Sequence, residues 1–174
     1  MATQQQRRTA TRVAVIDAAL SAFARQGQVD VALAEIADDA GVAKTTVLYH
    51  FGSRAGLLRA VAVELVSRFE QTLGAEGSAD FATWARAALD GLATRSGAIL
   101  YAINDDLARQ AGLAESDPTP YLMDRLVGFG VAEPELLAAA ILQFGRQLAT
   151  GHSAAADVDR FVAALARQAT PVGS

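Results

Sequence analysis

The chain contains no cysteine, only two histidines, four prolines and a single tryptophan in 174 residues. Without cysteine there is no disulfide framework and no thiolate zinc site. Two histidines cannot form a histidine-only metal site. Few prolines and little β-branched alternation leave no strand signal, so the expected fold class is all-α. No run of eighteen apolar residues and no signal-peptide pattern occurs, which predicts a soluble, cytoplasmic chain with no membrane partner. A catalytic constellation is also missing. His50 and His152 lie over a hundred residues apart, Ser96 and Ser153 sit in no nucleophile elbow, and no glycine-rich loop follows a strand. Asp105 and Asp106 read as a solvated face. Neither an enzyme nor a bound cofactor is expected.

What is present is apolar content and uneven charge. Hydrophobic residues make up 52% of the chain, enough for one good core or two small ones. The net charge is −4, which at first opposes a nucleic-acid partner. Residues 1–60, however, hold seven basic against five acidic residues, net +2, and residues 61–174 hold eight against fourteen, net −6. A mildly basic head on an acidic body suits a DNA-binding domain joined to something else.

The most informative stretch is Asp38–Leu58, DDAGVAKTTVLYHFGSRAGLL. A short apolar helix ends at Ala40, Gly41 supplies a turn, and a second short helix is expected from Ala43 to Tyr49. His50-Phe51-Gly52 then breaks the chain. This is the layout of a helix-turn-helix, whose second helix enters a DNA major groove. Lys44, Thr45 and Thr46 stand at the start of that helix, where base edges are met, and Tyr49 and His50 at its end. Val42, Val47, Leu48 and Phe51 are expected to anchor its other side. A plain αα-corner with solvated polar residues has the same spacing. Ser53 is the expected N-cap of the next helix. Arg54 follows at the positive end of that helix, an unfavourable place for a cation unless a phosphate lies opposite. An exposed arginine of no function also fits.

The remaining helices follow from apolar periodicity. Residues 1–8 are expected as a mobile polar arm, either idle or touching phosphate. Helix 1 is predicted from Thr9 to Arg25 with Val13, Ile16, Leu20 and Phe23 inward, and helix 2 from Val31 to Ala40. Helix 4 is predicted from Ser53 to Leu73, helix 5 from Phe81 to Arg95, helix 6 from Ala98 to Gln110 and helix 7 from Tyr121 to Phe129. Helix 8 opens at Glu133-Pro134, and helix 9 spans Asp157 to Gln168. A linker is expected at Gly74–Asp80 and a loop at 112–120. The expected domains are 7–52, a helix-turn-helix head, and 53–170, a helical effector-binding and dimerisation body, about nine helices together. Helices 8 and 9 are apolar over a face wider than one core needs, with Leu136, Ala139, Ala140 and Ala163 beside the main stripe. Two such helices from each of two chains would form a four-helix-bundle homodimer; a single intramolecular core is the alternative. A small-molecule pocket, if present, is expected among helices 5 to 8, with Trp84, Tyr101, Asn104, Tyr121, Met123, Gln143, Phe144 and Gln147 as candidates. Each of these could equally be core or surface. Few cations stand near them, which predicts a neutral or weakly polar ligand.

Arg12 to Val61 resembles the TetR family of transcriptional regulators through R-VAVIDAAL-SAF-ARQG and EIADDAGVAKTTVLYHFGSRAGLL. The rest of the chain is similar to the family only in layout. The resemblance implies a homodimeric repressor whose heads occupy successive major grooves of a near-palindromic operator, released when a small molecule binds the body. It implies that Lys44 and Thr45 read base edges, that Thr46 meets phosphate or base, that Tyr49 and His50 lie at the exposed end of the recognition helix, and that Arg54 takes the place of a phosphate-binding lysine. Four positions depart from the pattern. Leu48 stands for a tyrosine, Val31-Ala32 and Ala43 replace hydroxylated helix openers, and Gly56 replaces a capping glutamate. These departures leave open a second function, a helical small-molecule-binding protein that no longer binds DNA.

Overall fold

The computed structural model describes residues 3–75, 80–111, 118–154 and 156–169. Most of the linker expected at 74–80 and of the loop expected at 112–120 lies outside the described residues. Among them, all regular structure is helical: α1 (Gln4–Gln26), α2 (Leu33–Asp39), α3 (Lys44–Phe51), α4 (Arg54–Ala75), α5 (Phe81–Leu92), α6 (Arg95–Ala111), α7 (Thr119–Gly128), α8 (Pro134–Ala149) and α9 (Ala156–Ala169). No helix among them is long and apolar enough to cross a membrane. The chain packs as two compact units, Met1–Glu64 with Ala102–Ser116, and Leu65–Tyr101 with Asp117–Ser174. The first unit thus reaches beyond residue 52 along α4.

In the first unit, α1 begins earlier than its apolar period suggests. Thr3 Oγ1 accepts from Gln6 N at 3.2 Å, and Gln6 Oε1 accepts from Thr3 N at 2.7 Å. This reciprocal capping box makes residues 4–8 helical instead of a loose arm. The buried face is also rotated from the expected stripe. Val15, Ile16, Ala19, Ala22 and Phe23 are buried, whereas Val13 is 51% exposed. Small alanines let α1 approach its neighbours closely, so volume and not hydropathy selects the inward face. Gly27, at φ +69°, closes α1 by donating to Phe23 O. Neither α2 nor α3 has a side-chain cap: their N-cap residues are Ala32 and Ala43, as the sequence implied. α3 continues through His50 and Phe51, and the break falls at Gly52, φ +74°. Ser53 Oγ then accepts from Gly56 N at 3.0 Å and opens α4. Gly56 has a steric cause, since a Cβ there would lie 1.9 Å from the Phe51 carbonyl oxygen.

The second unit is built on α5. Asp80 caps this helix by accepting from Ala82 N and Thr83 N. Its buried face, Trp84, Ala85, Ala88, Leu89 and Leu92, packs on α8 and α9, and α7 packs on α8. Trp84 is 2% exposed and rests on Phe129, with ring centroids 5.4 Å apart. Truncating such a residue typically costs about 3–5 kcal/mol. α5 ends at Leu92, short of Arg95, because a new cap intervenes. Thr94 Oγ1 accepts from Gly97 N at 3.2 Å and starts α6 at Arg95 instead of Ala98. A Cβ on Gly97 would lie 2.0 Å from Leu92 O, so this junction requires glycine. Gly145 serves packing: its Cβ would meet the Leu92 side chain at 2.8 Å.

Candidate nucleic-acid interface

α3 presents a polar outer face on one buried anchor. Val47 is fully buried and fixes the helix against the first unit's core. Lys44, the chain's only lysine, is exposed at the first helical position, and Thr45 is exposed beside it. Thr46 is half-buried. Tyr49 is 71% exposed, and its ring meets the half-buried His50 ring edge-on at 5.3 Å. Thr45, Leu48 and Tyr49 are three and four residues apart and so share one face. Leu48, expected among the anchors, is 37% exposed and belongs to that outer face. Lys44, Thr45 and Tyr49 thus form one exposed surface, with Thr46 and His50 at its margin.

Arg54 stands apart from that surface in its bonding. Its guanidinium donates to Asp106 Oδ2 at 2.8 Å and to Val29 O at 2.8 Å, and lies 3.4 Å from Asp30 Oδ1. The side chain is 26% exposed. Asp106 is not part of a solvated face: it is 14% exposed and also accepts from Arg109 and Gln110. Burial pushes the Asp106 carboxyl up, but the bonds from Arg54 and Arg109 outweigh it and hold the group below the usual carboxylate range. The Asp30 carboxylate thus faces Arg54 and does not cap α2. Sequence spacing carried no signal for the Arg54–Asp106 pair, whose members are 52 residues apart.

Of the effector candidates, Trp84 and Tyr101 are buried in the second unit's core, and Tyr121, Met123 and Phe144 pack against it. Asn104 belongs to the first unit, and its Oδ1 is buried with no hydrogen-bond partner among the described residues. The others belong to the second. Tyr101 is buried, donates to Leu142 O at 2.9 Å and carries Arg146 over its ring. Tyr121 packs edge-on against Phe69, and burial pushes its hydroxyl pKa up. Met123 is half-buried. Phe144 stacks on Phe161 at 4.1 Å, Gln147 accepts from Ser153, and Gln143 is exposed. A cleft of about 260 Å³ lies elsewhere in this unit, lined by Leu65, Arg68, Phe69, Thr72, Leu73, Ala87, Gly91, Leu92, Thr94, Ser96, Gly97 and Leu100. None of the candidates lines it. Ala87 and Gly91 of α5 line it with little or no side chain, which leaves the space open. The readable signal was the run of small residues at Ala87 and Gly91, not the aromatics and amides.

Residues 15–61 match the family described as bacterial regulatory proteins, tetR family. No match was found among curated proteins. Solved structures share the fold across nearly the whole chain. One, described as a TetR-family transcriptional regulator from Rhodococcus sp., superposes with a TM-score of 0.66 at 19% identity, over 92% of this chain and 98% of that one. Another, described in the same way from Mesorhizobium loti, gives 0.67 at 20% identity, over 95% and 98%. A third is NalD of Pseudomonas aeruginosa, the secondary repressor of the MexAB-OprM multidrug efflux pump, with 0.62 at 18% identity, over 95% and 99%. At such identities the likeness is one of fold. Residues 15–61 thus carry the helix-turn-helix domain described for bacterial regulatory proteins of the tetR family.

Proposed function

We propose that this protein is a homodimeric repressor that binds a near-palindromic DNA operator and is released from it by a small apolar effector. One observation carries the DNA half: Lys44, Thr45 and Tyr49 are exposed on a helix whose opposite side is locked by Val47. An exposed polar face on a short rigid helix is what major-groove reading requires. In this reading Lys44 and Thr45 meet base edges, Thr46 meets phosphate or base, and Tyr49 and His50 close the far end. Arg54 joins them only by exchanging Asp106 for a phosphate. Residues 7–52 do the DNA work, and residues 53–170 hold effector and partner. The repressor role is supported by the fold shared with NalD.

Dimerisation falls to α8 and α9. Leu136 is 56% exposed, and Ala139 and Ala163 are exposed beside it, a surface of apolar and small side chains suited to close helix packing. The effector falls to the cleft lined by Phe69, Leu73, Leu92 and Leu100. At about 260 Å³ it lies just below the roughly 300–1,000 Å³ of drug-sized pockets, which favours a small, mainly apolar molecule. Selection of bound sequences from a random duplex pool tests the proposal. Recovery of an inverted repeat is expected. Recovery of no common sequence by folded, dimeric protein would leave the cleft as the function and DNA binding lost.

A further inference from the structure

The start of α1 and the end of α3 enclose an open polar groove that the helix-turn-helix does not account for. Its volume is about 570 Å³, and its lining includes Gln4, Arg7, Arg8, Thr11, Tyr49 and His50, with two arginines and no acid. No acidic residue precedes Asp17 in the sequence. Two of the arginines of α1 lie against aromatic rings. Arg8 lies over the Tyr49 ring at 5.5 Å. Arg12 lies over the Phe51 ring at 4.6 Å and donates to His50 O at 3.3 Å. Aromatic faces hold a guanidinium in place without neutralising it, so its charge stays available to an anion. The Thr3–Gln6 capping box keeps residues 4–8 helical, so Arg7 and Arg8 are held at a fixed height beside α3.

We propose that the first two turns of α1 are a second DNA grip, in which Arg7 and Arg8 bind phosphates of the backbone strand that flanks the far end of α3. This rests on the DNA-binding reading above. The argument for duplex DNA as the occupant is continuity and charge. α3 has eight residues, about 12 Å of helix, close to the roughly 12 Å width of the major groove. A helix of that length seated in the major groove, with Lys44 over base edges, brings Tyr49–His50 towards a flanking backbone strand. The polar groove opens at the Tyr49–His50 end, so its cations meet that strand.

Phosphate contacts set affinity and salt dependence but carry no base information. The test compares wild type, Arg7→Ala/Arg8→Ala and Arg7→Lys/Arg8→Lys on the selected duplex, each titrated against salt. The alanine pair is expected to bind the same sequence with a salt slope lower by roughly 2 per bound head, about 0.9 for each lost phosphate. The lysine pair is expected to keep the wild-type slope. Both pairs are on exposed positions, and an unchanged melting curve checks the fold. An alanine pair with the wild-type slope overturns the second grip while leaving the helix-turn-helix intact. A wild type that binds no duplex overturns both.

Discussion

Replacing Asp106 with asparagine removes the charge that holds Arg54 while keeping the shape of the side chain. The bond is short, 2.8 Å, and Asp106 is only 14% exposed. Arg54 retains Val29 O, but Asp30 at 3.4 Å is 89% exposed and weakly coupled. A hydrogen bond between charged groups contributes about 1.5–3 kcal/mol, and partial solvent screening of the 26% exposed guanidinium brings the expected loss to about 1–2 kcal/mol. For a domain of this size each kcal/mol moves Tm by roughly 2–4 °C, so Asp106→Asn is expected to melt about 2–8 °C lower at pH 7. The pH dependence has a definite sign. The folded carboxyl titrates below its unfolded value of about 3.9, so its stabilisation is full above that value and is lost as pH falls through the lower folded one. The gap between wild type and variant should therefore be constant from pH 5 to 8 and close in acid. Thermal melts followed by circular dichroism measure both. A variant within about 1 °C of wild type at pH 7, or a gap that persists unchanged below the folded value, refutes the reasoning.

Gly56→Ala adds a Cβ 1.9 Å from a backbone oxygen that cannot swing away, so a loss of about 2 kcal/mol or more is expected in a denaturant titration, despite alanine's better helix propensity. Ala43→Ser supplies the missing cap at φ −72°, ψ 147° and should stabilise by about 0.5–1 kcal/mol, read as a higher denaturation midpoint. Leu136→Glu places a charge on the face assigned to dimerisation and should yield monomers in sedimentation at concentrations where wild type is dimeric. Small apolar compounds are expected to stabilise the fold through the cleft, by about 2.7 kcal/mol at a hundredfold excess over Kd, read as a higher Tm, and Ala87→Phe, which fills the cleft, should abolish that shift. Stabilisation by anionic compounds alone would contradict the apolar assignment.

Local features were readable and distant ones were not. Gly41 and Gly52 take the positive φ that ends α2 and α3, and Ser53 caps α4, so the helix-turn-helix was legible from turn and cap chemistry alone. The start of α1 was missed because Gln4–Arg8 has no apolar period, although Thr3-x-x-Gln6 is a cap signature. Val13 misled because its hydropathy suits a core that alanines in fact pack. Arg54 was identified as a residue needing an anion, but its anion in this fold is Asp106, which only tertiary structure brings near. The cleft was hidden for a related reason: it is bounded by small residues, Ala87 and Gly91, which apolar periodicity does not weigh.

The most direct test of DNA binding by this helix is a salt titration of the selected duplex with wild type and Lys44→Ala, with the mass of the complex measured at saturation. The expected result is two chains for each inverted repeat, an affinity falling steeply with salt, and a variant that no longer distinguishes the selected sequence from others. Folded wild-type protein that stays unbound at 50 mM salt, or a Lys44→Ala variant that keeps full discrimination, would contradict it.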